Sequence, residues 1–153
     1  MLEQDILSLI TRMIPEVFII IYSIYILTKS KVNIKRILIS SIIGGIGIYI
    51  IRLLPIHFGV HTILSIMMYI ILAVKLNKID MYKAITITLV SIIILFILDF
   101  LIALIYSKIF QLSSELLFGG GLLSNIVSIP PLILFFIVIQ FIVHIKEKKV
   151  TYE

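Results

Sequence analysis

The sequence predicts an all-α integral membrane protein with about five transmembrane helices, its N-terminus outside and its C-terminus in the cytoplasm. Three observations predict this. The 153 residues are 61% hydrophobic and only 14% charged, whereas a soluble domain is usually about 45–50% apolar and about 25% charged. Five apolar segments meet or approach the roughly 20 residues that a spanning helix needs. The basic residues fall in short clusters between those segments, which is how membrane proteins set their orientation. Strands in lipid must close into barrels and alternate in polarity over about 10 residues. Runs such as "SIIILFILDFLIALIY" do not alternate.

The first helix is expected over about 6–28 and the second over about 37–54. The third, 59–74, is short, and the fourth and fifth cover about 84–106 and 122–145. Between the first two lie Lys29, Lys31, Lys35 and Arg36; between the third and fourth lie Lys75, Lys78 and Lys83. Lys146, Lys148 and Lys149 follow the fifth. Ten basic residues therefore share one side, against Arg12, Arg52 and Lys108 on the other. The richer side is the cytoplasmic one. An odd number of spans also puts the two termini on opposite sides. The stretch 107–121 carries Lys108 and Glu115 and is too short for a sixth span. It reads either as a greasy outer loop or as a brief interfacial helix capped by Ser113 or Ser114, with Gly119–Gly121 turning the chain. One polytopic domain, 1–153, is expected in a bacterial cytoplasmic membrane, with the lipid bilayer as its first partner. The acidic start, with Glu3 and Asp5, lacks the basic region of a cleavable signal peptide.

Several chemistries are not expected. With no cysteine, disulfides, thiolate zinc sites and thiol catalysis are excluded. No phosphate-cradling glycine loop, H-E-x-x-H or G-x-S-x-G is present, and the cytoplasmic links are too short to fold an ATP-binding domain. The reading is therefore not an enzyme, with no cofactor, and the scattered basic residues do not suit nucleic acid.

Ionisable groups inside the spans are the functional suspects, because each is costly in hydrocarbon. Asp99 lies 16 residues after Lys83, about 24 Å along its helix. Glu16 and Arg12 sit near the outer end of the first helix, and Arg52 ends the second, followed by His57 and His61. These six share a depth. One reading is an outward-opening polar pocket, in which Arg52 pairs with Asp99 or Glu16 and the site binds an anion or a proton. The other is headgroup snorkelling plus one structural salt bridge. The i, i+4 spacing of His57 and His61 suits zinc on a helix, but Pro55 and Gly59 argue for a turn and no third ligand is adjacent. No metal is assigned.

Two further features concern packing. Ser40/Gly44 and Ser41/Gly45 are small-xxx-small pairs, extended by Gly47, that let another helix approach closely. That partner lies within the chain, in a second copy, or in another membrane subunit. Pro130 and Pro131 leave carbonyls near Ile126 and Val127 without donors and should kink the fifth helix, as a hinge or as static geometry.

The block "IRLLPIHFGVHTIL" (51–64), preceded by "MIPEVFII" (13–20), resembles the membrane-spanning N-terminal regions of Firmicutes sensor histidine kinases with a GHKL-type or sporulation-kinase-like cytoplasmic half. Arg52, Pro55, Phe58, Gly59, His61 and Thr62 are the matching positions. Those kinases continue into dimerisation and ATP-binding parts, and this sequence ends at Glu153. The resemblance implies a sensory or regulatory input module acting on a cytoplasmic signalling partner such as a histidine kinase. The rival class is the substrate-binding membrane subunit of a small-molecule importer, and a third is a ligand-free scaffold.

Overall fold

The structure, a computed structural model, describes residues 8–55, 58–109 and 126–151. All of its regular elements are helices. Helix α1 begins with a π-helical turn, Leu9–Met13, and runs on as the α-helix Ile14–Leu27. Helix α2 is Ile34–Leu53 and α4 is Met81–Ile109. Between them, α3 joins the α-helix Phe58–Ile71 to a second π-helical turn, Leu72–Leu76. Helix α5 is Ile129–Thr151. The first four are long and apolar enough to cross a membrane, and α5 carries the shorter apolar stretch Ile129–Ile145. This is an all-α membrane protein of about five helices, as the sequence predicts.

Local chemistry sets the helix ends. Pro15 has no N–H for the carbonyl of residue 11. Just before it the backbone widens, and the Ile14 N–H reaches back to the Leu9 carbonyl. The Asn33 side chain accepts the Arg36 N–H at 3.2 Å and starts α2, and Asp80 does the same for the Lys83 N–H at 3.2 Å to start α4. The α1–α2 and α3–α4 turns close alike. Lys29 and Lys78 adopt left-handed φ of 54° and 55°. The Ser30 N–H then bonds the Tyr25 carbonyl, and the Ile79 N–H bonds the Ala73 carbonyl. A left-handed non-glycine residue costs about 1–2 kcal/mol. A lysine there offsets part of this by facing the negative end of a helix dipole.

Helix α1 occupies the centre. It packs against α2, α3, α4 and α5, which follow one another round it. Met13, Val17, Ile20, Ile21 and Ile24 on α1 are fully buried. The outward faces of the other helices expose Ile42, Ile46, Ile93, Phe96, Phe100, Ile133 and Phe141, a surface suited to lipid. Since lipid is as apolar as this interior, close packing and polar links must hold the helices together.

The small-residue stripe of α2 supplies the packing, and it is filled from within the chain. A Cβ added at Gly44 would lie 2.8 Å from Val17 Cγ1 and 2.6 Å from Leu72 Cδ1. One at Gly45 would meet Ile14 Cγ1 at 2.5 Å and the Ile14 main chain at 3.2 Å. Gly47 faces Met68 of α3 in the same way.

Two expectations about turns change. Gly59 is helical, in the first turn of α3, with open space round it and no left-handed φ. It is not the pivot of the outer turn, because α3 already starts at Phe58. Pro55 does lie in that turn, exposed, directly after α2. Near the fifth helix, backbone helical at 126–127 gives way to a turn at Ser128 and α5 restarts at Ile129. Pro130 and Pro131 thus occupy the first turn of α5, where a missing N–H costs nothing. Residues 122–125, where the fifth helix is expected to begin, lie outside the described residues. Of the loop expected at 107–121, residues 107–109 belong instead to α4, which continues to Ile109; the rest, with Ser113, Ser114 and Gly119–Gly121, lies outside the described residues, as does His57.

Candidate functional site: a charge network at the Arg12 end of the bundle

The site is built on α1. Arg12 stands in the wide Leu9–Met13 turn, and Glu16 lies one helical turn further in. Arg12 Nη2 donates to Asp99 Oδ2 of α4 at 3.2 Å. Its Nε lies 3.9 Å from Glu16 Oε2, too far for a hydrogen bond. Glu16 Oε1 accepts the hydroxyl of Tyr69, on α3, at 2.6 Å. That length is typical of an O–H bonded to a carboxylate, and such bonds are about twice as strong as neutral ones. A chain Asp99–Arg12–Glu16–Tyr69 therefore links three helices. It runs inward from side chains that are one-third exposed, Arg12 and Asp99, to the buried pair Glu16 and Tyr69.

Arg52, in the last turn of α2, forms no ion pair among the described residues but stands within electrostatic range of Tyr69 and Asp99. The expected pairing of Arg52 with Asp99 or Glu16 gives way to Arg12, which reaches both because α1 is central. His61, on α3 two turns before Tyr69, is half-buried; its Nδ1 is buried and has no hydrogen-bond partner among the described residues. Among the described residues no group of three or more His, Asp or Glu stands close enough to hold a metal ion.

Tyr69 was not among the residues singled out from the sequence. Its signal is a phenol inside an otherwise apolar span, eight residues after His61 and so on nearly the same helical face. Two polar layers lie further in. Ser23 of α1 and Ser91 of α4, both fully buried, are 3.0 Å apart, and Ser23 also donates to the Ile20 carbonyl. Gln140 of α5 donates to the Tyr22 hydroxyl at 3.0 Å, and the Tyr22 ring packs against Phe18 and Phe136. At the opposite end of the bundle from Arg12 the Tyr25 hydroxyl donates to Asn77 Oδ1 at 3.1 Å, and the Asn77 amide donates to Ser40 at 2.7 Å.

Chemically, the network sets one guanidinium, that of Arg12, against two carboxylates, those of Asp99 and Glu16. Arg12 divides its guanidinium between two carboxylates, and an incoming anion or cation would compete for one or other partner. No family model, curated protein or solved structure matches this chain.

Proposed function

We propose that the protein is a sensory or regulatory input module that reports an event at the outer face of the membrane to a cytoplasmic signalling partner such as a histidine kinase. The observation that carries this reading is the Asp99–Arg12–Glu16–Tyr69 chain. It ties α1, α3 and α4 together with one exposed end and one buried end. Helix α5 packs on α1 and α4, two of the helices so tied, and its backbone continues past the apolar stretch to Thr151. A ligand or proton that takes Asp99 from Arg12 changes how α1 sits against α4, and α5 rests on both. The Arg12–Asp99 pair is one-third exposed and worth about 0–1 kcal/mol, so coupling through it changes a partner's affinity by up to about five-fold. The resemblance of 51–64 and 13–20 to kinase membrane regions points the same way.

The importer reading assigns the small-residue stripe of α2 to docking a transporter subunit. That stripe is occupied by α1 and α3, so the feature favouring the rival is absorbed by the fold.

The test is purification in mild detergent, with identification of what copurifies, alongside the phenotype of a deletion. A copurifying kinase, and a changed phosphorylation output in the deletion and in Asp99→Asn, are expected. Absence of any signalling protein, with every output unchanged, sinks the proposal. Labelled-substrate uptake that depends on the protein would establish the importer instead.

A further inference from the structure

The inner face carries a second arrangement, separate from the outer network and independent of the function proposed above. Lys29, Lys31, Lys35 and Arg36 surround the first inner turn, and Lys75, Lys78 and Lys83 the second. All except Arg36 are exposed, and none forms an ion pair among the described residues, where both ion pairs belong to Arg12. Asp80, within the second group, is engaged in capping α4.

The two turns are locked to each other. The Tyr25 hydroxyl bonds Asn77 and the Asn77 amide bonds Ser40, all three side chains being buried. Lys29 follows Tyr25 by one turn, Lys78 directly follows Asn77, and Arg36 precedes Ser40 by one turn on the same face of α2. The Arg36 charge reaches the Tyr25 hydroxyl. Three cations are therefore gathered round one hydrogen-bonded point. Two of them, Lys29 and Lys78, stand on left-handed backbone that glycine would occupy with less strain.

Exposed apolar side chains border the same turns: Val32, Ile34, Met81 and Tyr82, the last 79% exposed. Cations at phosphate level beside apolar and aromatic groups at the acyl boundary match a lipid headgroup zone. An acidic protein would complement the charge alone.

We propose that this inner face binds anionic phospholipid headgroups, with Lys29, Arg36 and Lys78 at its centre. The Tyr25–Asn77–Ser40 lock holds together the two turns that carry these cations, which distinguishes the site from a diffuse positive potential.

The experiment exchanges the full-length protein into micelles containing equal phosphatidylglycerol and phosphatidylcholine and measures both retained lipids by mass spectrometry. Enrichment of phosphatidylglycerol is expected, falling about five-fold for Lys29→Gly or Lys78→Gly. Lys29→Arg and the outer-end Lys108→Gly should keep the wild-type ratio. The glycine variants suit the backbone, so thermal unfolding in phosphatidylcholine should be at or above wild type. If either fails to unfold cooperatively, Lys35→Gln replaces it, with a smaller drop in retained phosphatidylglycerol expected. Equal retention of the two lipids, or unchanged enrichment in the inner-face variants, overturns the proposal. So does an equal loss in Lys108→Gly, which would reflect total charge. Binding of soluble polyglutamate without any lipid preference also overturns it, in favour of an acidic protein partner.

Discussion

The Tyr69 hydroxyl donates a 2.6 Å hydrogen bond to the Glu16 carboxylate, joining α3 to α1 where both side chains are buried. Glu16 is also held, less closely, by Arg12 at 3.9 Å. The tyrosine is therefore the nearer of its two partners, and its removal leaves a buried carboxylate with the weaker one.

Tyr69→Phe deletes only the hydroxyl. It should lower stability by about 1.5–3 kcal/mol, the range for a hydrogen bond to a charged group. Glu16→Gln keeps an acceptor for Tyr69 and should cost less. Denaturant or thermal unfolding in detergent measures both. A Tyr69→Phe variant as stable as wild type would show that the bond contributes nothing net.

Arg12 and Asp99 behave differently, because their side chains are 32% and 33% exposed. Such a pair is screened and contributes about 0–1 kcal/mol. Asp99→Asn should leave the unfolding temperature nearly unchanged while it abolishes the response assigned to the module under Proposed function. Loss of stability without change in output would make the pair purely structural.

Gly45 has backbone, not a flexible chain end, on its far side. Gly45→Ala forces α1 and α2 apart and should cost about 1–3 kcal/mol. Gly47→Ala meets only the terminal methyl of Met68 and should cost less. Gly59→Ala has nothing within 4 Å and should be neutral or stabilising by up to about 1 kcal/mol. Comparative unfolding of the three variants checks the order Gly45, Gly47, Gly59.

Thr88 is fully buried on α4, and its Oγ1 has no hydrogen-bond partner. Replacing an unpaired buried hydroxyl by a methyl of similar shape is neutral or favourable. Thr88→Val should match or exceed wild-type stability. A loss above about 1 kcal/mol would reveal a partner for Oγ1, such as a buried water.

Sidedness is measured by reporter fusions. Fusions after Lys31 and Lys78 should report the cytoplasm and one after Gly59 the outside. A cytoplasmic signal at Gly59 would invert the bundle and move the Arg12–Asp99 end to the inner face.

Much of the vertical arrangement was legible in the residues. Charge clusters at Lys29–Arg36 and Lys75–Lys83 mark one end of the bundle, and helical rise places Asp99, Arg52 and Arg12 toward the other. Depth follows from counting along a helix at 1.5 Å per residue, which needs no knowledge of neighbours. Buried faces left a fainter trace in small and polar residues: Ser40, Ser41, Gly44 and Gly45 on α2, and Ala84, Thr88 and Ser91 on α4 are all buried.

The sequence by itself determined an all-α membrane bundle, the end at which its cations gather, and the depth of its ionisable groups. Only the tertiary structure decided that α1 is central, that Arg12 rather than Arg52 takes Asp99, and that Tyr69 completes the chain through Glu16. The physical reason is that lipid and protein interior are equally apolar, so an isoleucine facing α1 and one facing the bilayer read alike. Hydropathy orders residues along the membrane normal. Packing and hydrogen bonds order them laterally, and those exist only between helices already in place.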